Sequence, residues 1–224
     1  MKTVAAIYTT NTLIEPTKAM FSELMPEHRL INILDDSMIR DVISADGVTS
    51  AVRRRLFAYC RACEDMGADV ILETCSSVGD LVDEIQPFVN LKILRIDEPM
   101  ARRAVETGSS IAVLATLPTT LQPTIGLVRS VARKMGKTVT IVDGLAEGAF
   151  QALSEGKPEL HDEILMRTAV AVAEKAEVIL LAQGSMARMQ EAIAKATGKP
   201  VFSSLRLGLE SVKTFLENPN RISE

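Results

Sequence analysis

The run Glu73-Thr74-Cys75-Ser76-Ser77-Val78-Gly79 puts a thiol where the apolar stretch Val70-Ile71-Leu72 gives way to polar residues. A thiol is a proton donor, and its thiolate is a base and a strong nucleophile, with the balance set by local charge. Residues 80–86 read as a helix following this run. Backbone N–H groups at a helix start, with the Ser76 and Ser77 hydroxyls beside them, suit a carboxylate and lower the pKa of a nearby thiol. The expectation is therefore a reactive Cys75 titrating below the ordinary value of about 8.5. A cysteine simply packed behind a strand would belong inside the apolar run, not at its polar edge.

Three further polar clusters follow β-like runs in the same way: Thr9-Thr10-Asn11-Thr12, Thr116 with Thr119 and Thr120, and Gln183-Gly184-Ser185. Each offers hydroxyl, amide or backbone donors to an anion. Each also has an ordinary use: Thr119 or Thr120 as a helix N-cap, Gly184 as a tight-turn residue. Glu73 is a candidate base or orienting group for the thiol. Asp97-Glu98-Pro99 and Glu147 stand at other strand ends, where carboxylates often only cap helices. Cys60 and Cys63 lie within a helical pattern and read as core residues. His161 sits in a charged stretch and is expected to be solvated.

The elements that must position these residues alternate along the chain. Strands are expected at Val4–Tyr8, Leu30–Leu34, Val70–Glu73, Leu91–Ile96, Ile111–Ala115, Val139–Val142, Val178–Leu181 and Val201–Ser203, with helical stretches between most of them. One such helix runs from about Thr49 to Met66, with Val52, Leu56, Tyr59, Cys60 and Cys63 on one face and Gly67 as its C-cap. Ser44–Thr49 reads as a loop and Glu217–Asn220 as a frayed end. The pattern is that of an α/β protein with parallel sheets covered on both faces.

An internal repeat adds more. An offset of 107 positions carries Thr9, Thr12, Pro16 and Thr17 onto Thr116, Thr119, Pro123 and Thr124. An offset of 108 carries Asp69 onto Glu177, Val70-Ile71-Leu72 onto Val178-Ile179-Leu180, Ser77 onto Ser185, and Cys75 onto Gln183. Two pseudo-symmetric parallel-sheet α/β domains are expected, residues 1–97 plus 205–224 on the Cys75 side and 98–204 on the Gln183 side. Ligands of open parallel sheets sit outside the carboxyl ends of strands, so the four polar clusters are expected to line an interdomain active-site cleft.

Composition narrows the partners. The 224 residues carry a formal charge of −4 with both signs scattered, 47% hydrophobic and 24% charged residues. No basic stripe suggests nucleic acid, and the apolar start Val4–Ile7 is too short for a membrane span or an export signal. Three cysteines without such a signal point to reduced thiols in a cytoplasm. His28 and His161 have no Cys or His company, so no metal site is expected.

The paired halves, the Cys75 loop, Ala115-Thr116-Leu117-Pro118-Thr119 and the loop at Gln183 together resemble the aspartate/glutamate racemase superfamily, which includes hydantoin racemase, maleate isomerase and arylmalonate decarboxylase. The resemblance covers nearly the whole chain. It implies two α/β domains enclosing a small carboxylate substrate, no metal or other cofactor, and a homo-oligomer. It also implies two catalytic cysteines on opposite faces of the substrate's α-carbon. Cys75 matches the first. The second falls near Gln183 or Gly184, where this chain has no thiol, and glutamine is neither acid nor base. The expected activity is therefore one-cysteine acid/base or nucleophilic chemistry of the racemase or isomerase type. Thr9, Thr10, Asn11, Ser76, Ser77, Thr116, Thr119, Thr120, Gln183, Gly184 and Ser185 are the expected substrate donors, with Glu73 or Glu147 as a possible second base. A malonate-type decarboxylase with one proton donor and a non-catalytic carboxylate-binding protein are the alternatives.

Overall fold

The computed structural model describes residues Met1–Asn218, so Pro219 and Asn220 of the expected frayed end lie outside the described residues. The chain divides into two units, Met1–Ile96 with the segment from Leu205 onward, and Asp97–Ser204.

The first unit contains β1 (Thr3–Tyr8), α1 (Ile14–Leu24), β2 (Arg29–Leu34), α2 (Asp36–Ser44), α3 (Ser50–Asp65), β3 (Val70–Glu73), α4 (Leu81–Ile85) and β4 (Lys92–Arg95). Its sheet is wholly parallel in the order β2-β1-β3-β4. Ala5, Ile7, Ile71 and Ile93 face one apolar cluster, with Val52, Leu56, Cys60 and Cys63 of α3. Val4, Ala6, Tyr8, Val70, Leu72 and Leu94 face the other, with Phe21, Met25, Leu205, Leu209 and Val212. Burial on both faces is why the strands read as unbroken apolar runs.

Helix α3 begins where the Thr49 hydroxyl accepts the Val52 N–H at 3.2 Å. It ends at Gly67, whose φ of +70° suits a residue without a Cβ. The expected core positions of Cys60 and Cys63 are observed, and both thiols are buried. The Ser44–Thr49 loop turns through Asp46 and Gly47, both at positive φ.

The second unit contains α5 (Glu98–Thr107), β5 (Ser110–Ala115), α6 (Pro118–Lys134), β6 (Thr140–Leu145), α7 (Ala149–Ser154), α8 (Pro158–Ala173), β7 (Val178–Leu181), α9 (Gln190–Thr197) and β8 (Val201–Ser203). Helix α10 (Ser204–Glu217) follows. The sheet is again parallel, in the order β6-β5-β7-β8. Strand β6 runs past the expected end at Val142. Asp143-Gly144 looks like a turn in sequence, yet both residues pair with β5. A Cβ on Gly144 would stand 3.0 Å from the Val113 carbonyl oxygen, so the glycine allows a close approach of the two strands.

The repeat is visible as wiring. The Asp69 carboxylate accepts the Thr3 N–H at 2.7 Å where β1 begins. Glu177 accepts the Ser109 N–H at 2.6 Å and the Ser110 N–H at 3.2 Å where β5 begins. At the other end of each sheet, the Thr74 N–H donates to the Ile7 carbonyl at 3.2 Å and the Ala182 N–H to the Leu114 carbonyl at 2.9 Å. In each unit the chain crosses from one side of the central strand to the other, so a topological switch point falls between β1 and β3 and between β5 and β7. Loops at such points are favoured ligand sites.

Candidate active site

In the first unit the switch point brings Thr9 and Cys75 together. Thr9 follows β1 and is buried, and its hydroxyl hydrogen-bonds the Cys75 thiol. Cys75 is half-buried, with the backbone N–H groups of Ser77 and Val78 directed at its sulfur. Its own N–H donates to Glu73 Oε1 at 2.6 Å, and Glu73 is buried at the end of β3. Ser76 and Ser77 are buried in the turn that follows. Thr10 is engaged locally: its hydroxyl accepts the Thr12 N–H at 3.4 Å and caps a 3-10 turn, Asn11–Leu13, in which Asn11 is exposed.

The electropositive turn expected from sequence is present, but its effect on the thiol is outweighed. Burial, followed by the Glu73 carboxylate, pushes Cys75 up from 9.0 to about 11, against the Thr9 hydroxyl and the two N–H groups that favour the thiolate. The expected low-pKa thiol is thus corrected to one that rests protonated at neutral pH. The reason is local. Helix α4 is only five residues long and starts at Leu81, with turn residues between it and Cys75. A helix terminus acts within about one turn.

The second unit repeats the arrangement with a different partner. Gln183 Oε1 accepts the Thr116 N–H at 2.7 Å and the Thr116 hydroxyl at 2.9 Å. A backbone N–H can only meet an acceptor, which fixes the orientation of the amide. Thr116 thus meets Gln183 as Thr9 meets Cys75. Gly184 and Ser185 are half-buried in the 3-10 turn Gly184–Met189. Thr119 and Thr120 lie in the first turn of α6, where Pro118 occupies the start and no side chain caps the end. The Thr119 hydroxyl oxygen is buried without a hydrogen-bond partner.

A sequence model of the Asp/Glu/hydantoin racemase family matches residues 4–212. The chain belongs to that family. No curated protein matches it by sequence, but solved structures share its fold. Glutamate racemase RacE1 from Bacillus anthracis superposes with a TM-score of 0.76 at 11% identity, covering 98% of this chain and 83% of that one. Allantoin racemase from Pseudomonas fluorescens gives 0.66 at 20% identity, covering 97% and 91%. Unliganded arylmalonate decarboxylase gives 0.57 at 14% identity, covering 97% and 94%. At such identities the likeness is one of fold.

The remaining polar candidates of this racemase-family chain separate clearly. Glu73 touches the Cys75 backbone, whereas Glu147 is exposed beyond β6. Asp97 is fully buried at the start of α5 without capping it through its side chain. His161 is not solvated, as its charged neighbours suggest, but 1% exposed. It shares the inner face of α8 with Leu165, Ala169 and Val172, a helical spacing that signals its burial in the sequence. Its Nδ1 lies 2.8 Å from Asp162, which also pairs with Arg188 in the turn that follows Gln183. Among the described residues no helix is long and apolar enough to cross a membrane, and no group of three or more His, Cys, Asp or Glu side chains is placed to hold a metal ion.

Proposed function

We propose that this racemase-family chain is a cofactor-independent enzyme in which Cys75 delivers a proton to the carbon beside a carboxylate of a small acid. The geometry that carries this reading is the Cys75 thiol bonded to Thr9 and facing the Ser77 and Val78 N–H groups, with burial and the Glu73 carboxylate favouring its protonated form. A thiol in that state is an acid first. It quenches a carbanion or enolate formed next to the carboxylate, and the donors around it stabilise the thiolate left behind. Thr9, Thr10, Asn11, Ser76, Ser77, Thr116, Thr119, Thr120, Gly184 and Ser185 are the proposed carboxylate and enolate donors. The partnerless Thr119 hydroxyl at the start of α6 is the best placed of these in the second unit.

Gln183 shapes the reaction class. Two-sided racemisation needs an acid and a base on opposite faces, and an amide with its oxygen committed to Thr116 is neither. Decarboxylation of a malonate-type acid fits a single proton donor, because loss of CO₂ itself generates the carbanion. A one-sided isomerisation fits if the substrate enolises without a second protein base.

A non-catalytic carboxylate-binding protein is the second reading, favoured by the same raised thiol and the same glutamine. The two are separated by incubating substituted malonates, amino acids and hydroxy acids with the protein in D₂O and following CO₂ release and deuterium at the α-carbon by NMR. The enzyme reading expects deuterium on one face only and its loss in Cys75→Ala. Equal turnover in Cys75→Ala refutes it, and deuterium entering both faces refutes the role given to Gln183. Binding without turnover, unchanged in Cys75→Ala, supports the second reading.

A further inference from the structure

Beneath the Cys75 turn lies a buried arginine. Arg95 ends β4 with 7% of its side chain exposed. Its guanidinium donates to Asp80 Oδ1 at 2.8 Å, at the far end of the turn that begins with Cys75. It also lies flat against Gly79: a Cβ there would stand 2.6 Å from Nη2, 2.7 Å from Cζ and 2.8 Å from Nε. Contacts that short do not occur, so the glycine at 79 is what lets the guanidinium reach the turn.

Arg95 is also the register partner of Glu73 across the parallel β3–β4 ladder. Register partners put their side chains on the same face of a sheet. For these two it is the face shared by Ile71 and Ile93, whose apolar cluster includes Cys60, Cys63 and Leu81 and has Cys75 packed against it. The carboxylate beside the thiol and the guanidinium of its register partner are both buried and thus share one end of one core. A cation left out of water is retained only where it is paired or hydrogen-bonded.

We infer that Arg95 is a positioning residue of the Cys75 turn, holding Gly79 and Asp80 from the β4 side and offsetting the Glu73 carboxylate, so that it sets how readily the thiol gives up its proton. The inference deepens the reading of Cys75 as the proton donor and rests on it for its functional meaning. Its geometry lies wholly in the first unit. The division of labour is specific: Glu73 orients the Cys75 backbone and disfavours the thiolate, while Arg95 limits that penalty and fixes the turn. The planar fork of arginine suits both contacts at once, which an ammonium does not.

The test reads Cys75 directly and needs no substrate, so its failure is distinct from failure of the proposed reaction. The pH dependence of Cys75 alkylation by iodoacetamide is followed by peptide mass spectrometry, with circular dichroism confirming the fold of each variant. Arg95→Met is expected to move the alkylation profile up by about one pH unit, a tenfold loss of thiolate at a given pH. Arg95→Lys should recover at least half of that shift, and Gly79→Ala should move the profile in the same direction by displacing the guanidinium. Glu73→Gln should move it down. In the Glu73→Gln background the effect of Arg95→Met should shrink below about threefold, the coupling that a double-mutant cycle isolates. Where Arg95→Met does not fold, Arg95→Lys and Gly79→Ala carry the test. A folded Arg95→Met or Gly79→Ala variant whose profile superimposes on the parent overturns the inference. So does a shift of equal size with and without the Glu73 carboxylate.

Discussion

The thiol that rests protonated can be tested before any substrate is known, by its rate of alkylation. Burial and Glu73 raise Cys75 from 9.0 to about 11. Below both values, that difference of two units leaves about a hundredfold less thiolate. The loss is partly offset, because a more basic thiolate attacks faster, with a Brønsted slope of about 0.4–0.5. Two units at that slope return roughly eightfold, so the net rate at pH 7.5 is about tenfold below that of an open thiol. The profile is a cleaner reading than the rate. The logarithm of the alkylation rate should keep rising with unit slope beyond pH 9, whereas an ordinary thiol levels off there. Thr9→Val removes a donor to the sulfur and should lower the rate at every pH below about 9. A plateau at or below pH 9 would show that the turn's N–H groups outweigh Glu73, and would refute the reasoning that makes Cys75 an acid first.

Other outcomes follow from the same structure. Burial raises Cys60 from 9.0 to about 12 and Cys63 to about 11. Both folded values lie above the unfolded one, so their contribution is intact below pH 9 and lost as the pH rises through the folded values. At pH 10 each costs about 1.4 kcal/mol, and urea unfolding should show a smaller drop from pH 8 to pH 10 in a Cys60→Ala/Cys63→Ala variant. An equal drop would refute the burial argument. Gly208→Ala should lower Tm by several degrees, because its Cβ would meet the Ile96 carbonyl oxygen at 2.7 Å and overpacking costs about 1–3 kcal/mol; a raised Tm would mean that helix propensity dominates. Gln183→Leu should cost about 1–3 kcal/mol by leaving the Thr116 N–H unsatisfied, while Gln183→Glu keeps an acceptor there and should stay close to the parent in thermal melts. Asp69 is raised by burial but held lower on balance by the Thr3 N–H and Lys2, so its contribution is lost as pH falls; acid unfolding of Asp69→Asn should be less steep than that of the parent.

The sequence made legible whatever followed from burial on two sheet faces. Val4–Tyr8, Val70–Glu73 and Val178–Leu181 had no period to misread, and the offset between the halves matched Thr9 with Thr116 and Cys75 with Gln183. It hid what depends on charged residues going inside. Glu73 and Arg95 end their strands, where a sequence normally turns polar and meets water, so nothing in the pattern marks them as buried. The sign of the Cys75 shift escapes the sequence for the same reason, since burial and the Glu73 carboxylate outweigh the donors of the turn. His161 reads as solvated because its sequence neighbours are charged, although its spacing to Leu165 and Ala169 puts it on the buried face of α8. The strand end expected at Val142 falls short because Asp143-Gly144, a dipeptide common in turns, here pairs with β5.

The bond between Thr116 and Gln183 has a consequence for stereochemistry. An amide turned by two donors to present its oxygen to Thr116 keeps its nitrogen protons, which do not transfer to carbon. In the reaction proposed above for Cys75, a planar carbanion receives its hydrogen only from the side of the sulfur. If Cys75 works as proposed, the product leaves with a single handedness, set by which face of the prochiral carbon is turned toward the thiol. Where two thiols make the two faces of such a carbon equivalent, one thiol and one amide make them different, and an enzyme built that way writes chirality instead of erasing it.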